Sequence, residues 1–219
     1  MDINGILQQI AIWTIPVLFA ITVHEVAHGW VARRLGDPTA WMMGRLTLNP
    51  VKHIDPVGTI LVPLVLLLLG GFVFGWARPV PVNYRNLNDP RRDMALVAVA
   101  GPAANLVMAL GWALIMKLGI LIAPHSNWVG LPLVYMGQAG IAINVVLMVL
   151  NLLPVPPLDG GRVLAGLLPP RLAEALDRVE PWGLLVLVAL LATGILGMML
   201  GPPYRLVMEL IHRLFGLPI

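Results

Sequence analysis

Long apolar runs separated by short polar connections form the main pattern of this chain. An α-helix needs about 20 consecutive apolar residues to cross a bilayer. The pattern therefore predicts four full spans, over residues 6–32, 91–123, 132–153 and 182–200. A fifth run, residues 57–76, contains helix-breaking proline and glycine, and it can either span the membrane or re-enter on the side where it started.

The connection that follows the first span is too polar to cross the membrane. Residues 40–56 are rich in helix breakers, and residues 45–48 alternate between polar and apolar side chains. Non-helical backbone at membrane depth is tolerated only where protein or a wet cavity surrounds it. We therefore predict a re-entrant β-hairpin that folds back toward the helices.

A second extended element is predicted at residues 77–85. Pro79 and Pro81 stand two apart, so the missing N–H donors fall on one side of the backbone, while Val80 and Val82 keep theirs on the other. Such a segment can pair on one side only, which indicates an edge strand able to receive an extended peptide. An ordinary proline-rich connector is an equal alternative.

Composition agrees with a protein that lies mostly in lipid. Hydrophobic residues make up 58% of the 219 positions and charged residues 11%, against about 25% charged in soluble domains. The predicted fold class is an all-α polytopic membrane protein. It is a transmembrane helix bundle of about four full spans plus a re-entrant segment, with a small β-hairpin and edge-strand element. The length fits a single membrane-embedded domain over residues 1–219.

Charge and cysteine content exclude two kinds of site. The net charge is +3, and no basic-aromatic motif of a nucleic-acid-binding protein occurs, so no nucleic-acid partner is expected. The chain contains no cysteine. A metal site must therefore use histidine, aspartate, glutamate or carbonyl oxygen.

The first predicted span carries a candidate metal site. His24 and His28 are four residues apart and share one face of a helix, so both can bind one ion. Glu25 projects about 100° around the helix axis, close enough to reach a water on that ion. This HExxH pattern is typical of two zinc ligands and a general base. The alternative is a chance match, which the apolar surroundings make less favoured.

A second polar cluster follows the span at 132–153. Asp159 stands on irregular backbone between prolines and glycines, where an unpaired carboxylate is costly. Its candidate cations are zinc and Arg162. Asn151 lies in the same stretch. Asn105, within the span at 91–123, is interpreted first as an interhelical hydrogen-bonding group.

The basic residues place these groups on one side of the membrane. Ten of them fall in connections that can share a side, which the positive-inside rule makes cytoplasmic: Arg33, Arg34, Lys52, Arg78, Arg85, Arg91, Arg92, Arg162, Arg171 and Arg178. His24, His28 and Asp159 then all lie toward cytoplasmic helix ends and can meet. This topology favours re-entry for residues 57–76.

Taken together, these motifs resemble the site-2 protease family of intramembrane zinc metalloproteases (peptidase M50), in its compact bacterial or archaeal form without a PDZ or CBS domain. The matching stretches, in order along nearly the whole chain, are HEVAHG, GRLTLNPVKHIDPVGT, AGPAAN and NLLPVPPLDGG. The resemblance implies that Asp159 is the third zinc ligand and that Asn151 helps to hold substrate or the oxyanion. It also implies that residues 44–49 are the re-entrant hairpin and residues 79–83 the substrate-side strand.

The predicted function is hydrolysis of peptide bonds in or near transmembrane segments of membrane-protein substrates, with one zinc per chain. Glu25 is the expected base; Asn151, Asn105, Val80 and Val82 are candidate substrate-binding residues. The expected partners are transmembrane proteins and the lipid bilayer, in a prokaryotic cell membrane, with a homo-oligomer left open. The alternatives are a catalytically silent membrane-protein binder or chaperone of the same fold and, less favoured, a metal transporter.

Overall fold

A computed structural model describes residues 3–62, residue 65 and residues 77–218. Single turns of 3₁₀ or π helix cover Pro50–His53, Pro56–Leu61, Tyr84–Asn86 and Glu180–Trp182. The α-helices, in chain order, are α1 (Ile3–Arg34), α2 (Thr39–Met42), α3 (Pro90–Ile122), α4 (Asn127–Asn151), α5 (Asp159–Leu167), α6 (Pro170–Asp177), α7 (Gly183–Ala192) and α8 (Ile195–Phe215).

Three of these helices are long and apolar enough to cross a membrane: α1 from Leu7 onward, α3 and α4. A fourth span is present if Pro170–Ala192 and α8, which meet at 82°, count as one. Only 22%, 28% and 44% of the most apolar windows of α1, α3 and α4 are buried. Their remaining apolar surface must be covered by lipid, so the predicted all-helical membrane class is confirmed.

Helices α3 and α4 form the centre of the bundle. They approach closely because small residues face the partner helix: a Cβ on Gly130 would lie 2.4 Å from the Ala123 backbone, and one on Gly137 would lie 2.7 Å from that of Met116. The main core adds Ile211 of α8 to residues of both helices. This packing fixes the helix pair against which α1 and α5 place the candidate site.

The last predicted span, 182–200, does not form one continuous helix. Helix α7 ends at Ala192, and Gly194 adopts φ +75°, a left-handed conformation that favours glycine, before α8 begins. Helix α8 then runs without a break to Phe215, and its apolar face packs on the α3–α4 core. The C-terminal segment is therefore part of the bundle, because its amphipathic face finds a protein partner.

The predicted β-hairpin at residues 40–56 is also wrong. The described residues contain no β-strand, and α2 occupies the start of this segment. Polar side chains bond to nearby backbone in place of a ladder: Thr47 Oγ1 accepts from Asn49 N–H, and Asn49 Oδ1 accepts from Val51 N–H. Most of the re-entrant or spanning run at 57–76 lies outside the described residues.

Residues 77–83, here called the extended segment after their predicted conformation, form no helix and pair with no strand in the described part of the chain. Arg78 N–H donates to His53 O at 2.9 Å. At the other end, Asn83 N–H donates to the buried carboxylate of Asp37 at 2.6 Å. The edge strand predicted at residues 77–85 is therefore wrong: hydrogen bonds to a side chain and to a turn hold this segment, and its last residues form a 3₁₀ turn.

Asp37 links the end of α1 to the chain beyond the extended segment. Its carboxylate also accepts from Thr39 and from Asn86 Nδ2. Burial raises the pKa of Asp37, but the hydrogen bonds from Thr39, Asn86 and Asn83 outweigh burial, so the net pKa is lowered. A carboxyl with a lowered native pKa stabilises the fold above its ordinary value, and this contribution falls as pH drops through that value.

We expect Asp37→Asn to lower the free energy of unfolding near pH 7 by about 1–3 kcal/mol, since an amide NH₂ must face an N–H donor. The difference from wild type should shrink as pH falls below about 4, where the carboxyl of the unfolded chain takes up a proton while the native one, with its lowered pKa, does so only at lower pH. Thermal unfolding in detergent at several pH values measures both effects. A difference that is constant from pH 7 to pH 3 would contradict this assignment.

Candidate metal centre

His24 and His28 face each other on α1, with their Nε2 atoms 3.1 Å apart. Each ring is oriented through its other nitrogen: His24 Nδ1 lies 2.6 Å from Asn105 Oδ1, and His28 Nδ1 lies 2.7 Å from Val97 O. Both partners are acceptors, so each Nδ1 carries the proton and each Nε2 presents a lone pair. Two lone pairs at this distance repel each other unless a cation lies between them.

Asp159 completes this group from the first turn of α5. Its Oδ2 lies 3.3 Å from His24 Nε2 and 3.2 Å from His28 Nε2, and the side chain is 7% exposed. Glycines bring it there: a Cβ on Gly160 would lie 2.2 Å from Leu153 O, and one on Gly161 would lie 2.8 Å from Pro156 N. The double glycine therefore lets α5 begin directly beneath the turn that ends α4.

The donor set fits zinc. A buried Asp159 oxygen without a hydrogen-bond donor faces two imidazole lone pairs, so all three are electron-pair donors. In a tetrahedral site with Zn–N bonds of about 2.0–2.1 Å, ligand atoms stand about 3.3–3.4 Å apart, close to the 3.1–3.3 Å found here. These three residues can hold one ion.

Arg162 is not the partner of Asp159. Its Nη2 pairs with Glu180 Oε1 at 3.2 Å, at a half-exposed position. Of the two cations that the sequence offers for the Asp159 carboxylate, the geometry therefore favours the metal.

Glu25 lies beside the three donors and contacts the extended segment. Its Oε2 accepts from Val80 N–H at 2.7 Å. The N–H of Val80, which the sequence assigns to an incoming peptide, is therefore already engaged. Val82 N–H has no partner in the described residues. Sequence reasoning could not foresee the Glu25 contact, because 55 positions separate the two residues.

A cavity of about 440 Å³ opens on the metal group. Its wall is mostly apolar, with Glu25 and Asn151 among the few polar groups. The amide of Asn151 donates to Leu147 O one helical turn earlier, at 3.0 Å. Among the residues that line the cavity are Ile21, Pro79, Val80, Val82, Leu150, Asn151, Leu184 and Leu187.

Asn105 is fully buried and does not line this cavity. Its Oδ1 accepts from His24, while its Nδ2 donates to Asn144 Oδ1 at 2.9 Å and to Ala20 O at 3.3 Å. This placement argues against Asn105 as a substrate-binding residue and favours the interhelical interpretation. The amide fixes the His24 ring, as residues behind metal ligands commonly do.

We expect Asn105→Leu to weaken zinc binding by about 10–100-fold. The leucine keeps the volume but leaves His24 Nδ1 without its acceptor, so the ring can turn or change tautomer. Competition with a zinc chelator measures the affinity. Asn151→Leu is the matched comparison and should retain zinc. Full zinc affinity in Asn105→Leu together with a raised KM would instead assign Asn105 to substrate.

Gly101 of α3, within the AGPAAN stretch, also contributes to the site. A Cβ at this position would lie 2.5 Å from His28 Nε2 and 2.6 Å from His24 Cε1. The absence of a side chain on α3 thus makes room for both imidazoles. Only the fold reveals which small residue of the AGPAA stretch has this role.

Comparisons with known proteins agree with this geometry. The model of Peptidase family M50 matches residues 12–121 and 117–194. "Putative zinc metalloprotease YwhC" of Bacillus subtilis is 40% identical over 207 residues, covering 92% of this chain and 90% of the relative.

Two further relatives share one name. "Putative zinc metalloprotease Rip2" of Mycolicibacterium smegmatis is 35% identical over 181 residues, 80% of this chain and 64% of the relative. Rip2 of Mycobacterium tuberculosis (strain H37Rv) is 32% identical over 192 residues, 86% of this chain and 70% of the relative. No solved structure matches the chain.

Proposed function

Because this chain belongs to peptidase family M50 and is a zinc metalloprotease, we propose that it hydrolyses peptide bonds in or near the transmembrane segments of other membrane proteins. The observation that carries the proposal is the grouping of the Asp159 carboxylate with two imidazoles of α1, a helix whose outer surface requires lipid. Such a group acts on substrates that reach it through the membrane.

The depth of the site supports a substrate within the bilayer. His28 is six residues, and His24 ten residues, from Arg34 at the end of α1. At 1.5 Å per residue, the donors lie about 9–15 Å along the helix from its basic end. With Arg33 and Arg34 at the headgroups, hydrolysis would take place below the lipid surface.

In this proposal His24, His28 and Asp159 hold the zinc, which when bound supplies Lewis acidity toward water and the scissile carbonyl. Glu25 is the base: its carboxylate takes a proton from the attacking water and delivers it to the leaving amine. Oε2 of Glu25 is oriented by Val80 N–H, which leaves the other oxygen for the proton transfer.

The cavity supports binding of an unwound stretch of substrate. A helical peptide shields its own peptide bonds, so the substrate must open locally before its carbonyl reaches the site. The Val82 N–H can then pair with freed backbone, and the apolar wall can receive side chains. Asn151, in the same wall, can donate to the substrate carbonyl once it releases Leu147 O.

The cytoplasmic orientation remains part of the proposal. Its support is the positive-inside rule applied to the basic residues around the ends of α1, α3 and α4. Alkylation of single cysteines introduced at position 85 and position 128 of this cysteine-free chain tests it in intact cells.

The deciding experiment incubates the purified, reconstituted protein with single-span substrates and an unfolded soluble protein. The substrates form matched pairs that differ only in one Leu-Leu or Gly-Asn step within the span. We expect cleavage inside the span, mapped by mass spectrometry, and faster for the Gly-Asn member because it unwinds more easily. A zinc chelator should stop cleavage and added zinc should restore it.

Two outcomes would overturn the proposal. A protein that binds one zinc but cleaves no member of the panel would be the silent membrane binder. Cleavage of the soluble protein alone, with the spans left intact, would make the chain a membrane-bound protease for soluble chains.

A further inference from the structure

Arg45 is a buried cation without a carboxylate partner in the described residues. The residue is only 8% exposed. Nη2 donates to Arg78 O at 2.9 Å and to Pro79 O at 3.4 Å. A charge is rarely withdrawn from water merely to bind neutral carbonyls, so this arrangement requires an explanation.

The carbonyl of Pro79 and the N–H of Val80 belong to one planar peptide group and point in opposite directions. Arg45 contacts the carbonyl end, and Glu25 accepts from the N–H end at 2.7 Å. A donor charge and an acceptor charge thus polarise the same peptide, which strengthens both hydrogen bonds. Rotation of this plane would aim the N–H away from Glu25.

The packing on α1 holds the plane at the required distance. A Cβ on Gly29 would lie 2.8 Å from Val80 Cγ1 and 2.6 Å from Leu46 Cδ2. The missing side chain allows the extended segment and the residue next to Arg45 to reach the helix together. The contacts from Arg45 through the Pro79–Val80 peptide to Glu25, here called the bridge, therefore depend at both ends on the same stretch of α1.

We propose that Arg45 is a positioning residue for the hydrolysis: it fixes the Pro79–Val80 peptide, whose N–H holds Glu25 in the orientation for proton transfer. This inference rests on the proposed function, in which Glu25 is the base. It also links the segment that receives substrate to the orientation of the base, since both use the same backbone.

Electrostatics agree with this arrangement. Burial lowers the pKa of Arg45, and the charge of Arg78 acts in the same direction, whereas the carboxylate of Glu25 opposes them. Arginine nevertheless remains protonated at any pH at which proteins work. The guanidinium therefore holds the peptide throughout the working range.

The first test compares Arg45→Met with Arg45→Lys and with Arg85→Met, an exposed arginine of the neighbouring turn. We expect Arg45→Met to lower kcat by about 10–100-fold, because misplacing a reacting group by about 1 Å has effects of this size. KM and zinc content should stay near the wild-type values. Arg45→Lys should recover part of kcat, and Arg85→Met should resemble wild type.

The second test replaces the N–H by oxygen, by incorporating the α-hydroxy analogue of valine at position 80; the resulting ester lacks the donor to Glu25 and has a weaker carbonyl acceptor for Arg45. We expect the same loss of kcat as in Arg45→Met. The two changes combined should cost no more than either alone, because they break one bridge. A purely structural role of Arg45 would instead give additive losses and a lower zinc content.

The outcomes separate this inference from the function on which it rests. If wild type does not cleave, the proposed function falls and the role of Arg45 falls with it. If wild type cleaves, and Arg45→Met keeps its kcat, loses zinc, or adds its effect to that of the ester, only the positioning role is overturned.

Discussion

Replacement of Glu25 by glutamine is expected to abolish cleavage while zinc stays bound. The amide has the same shape and can still accept the Val80 N–H through its oxygen, so the extended segment keeps its contact. It cannot take up the proton of the attacking water. Loss of a general base typically costs about 10²–10⁴-fold in rate.

Initial rates on a single-span substrate and zinc content by mass spectrometry provide the two measurements. Glu209→Gln is the matched control, because this glutamate pairs with Arg213 on α8, away from the site. Cleavage by the Glu25→Gln variant at a rate close to that of wild type would remove Glu25 from the mechanism. Loss of zinc would make it a structural support of the metal site instead.

Gly101→Ala should lower the rate of cleavage by a similar factor, but through loss of zinc rather than loss of the base. The new methyl would meet both imidazoles at 2.5–2.6 Å, and neither ring can turn without breaking its bond to Asn105 or to Val97 O. We expect zinc affinity to fall by about 100-fold or more, beyond the usual effect of a change next to a metal ligand. Cleavage should fall with it.

The same helix offers a control for this change. Gly111→Ala places its methyl where no atom lies within 4 Å, so zinc and activity should be unchanged. Alanine favours a helix over glycine by about 1 kcal/mol, so α3 should not unfold in either variant. Wild-type zinc affinity in Gly101→Ala would mean that the imidazoles do not occupy the positions described here.

The β-structure predicted after α1 shows where local pattern fails. The alternation at residues 45–48 is typical of a strand, yet Thr47 and Asn49 bond to their own neighbourhood and Arg45 turns inward. Polar side chains that satisfy nearby backbone compete directly with a ladder. In residues 77–83 the alternation of proline and valine predicts a strand, yet these residues form none in the described part of the chain, and Tyr84–Asn86 form a 3₁₀ turn.

Asn105 and Asp159 show that sequence pattern also cannot assign the roles of single polar residues in the site. Both are polar groups in apolar surroundings, and sequence supports a role for each. Only the mutual packing of α1, α3 and α4 distinguishes their roles, because it buries Asn105 behind His24 while α5 presents Asp159 beside both Nε2 atoms.

The sequence alone determined the chemistry: apolar runs require lipid, the spacing of His24 and His28 puts two donors on one helix face, and the absence of cysteine restricts the remaining ligand. These features are local, so a short stretch of chain expresses each of them. The tertiary structure decided which distant groups serve that chemistry, including the bridge from Arg45 through the Pro79–Val80 peptide to Glu25 and the space left by Gly101. Such contacts join single residues far apart in the chain, and no periodic pattern records them.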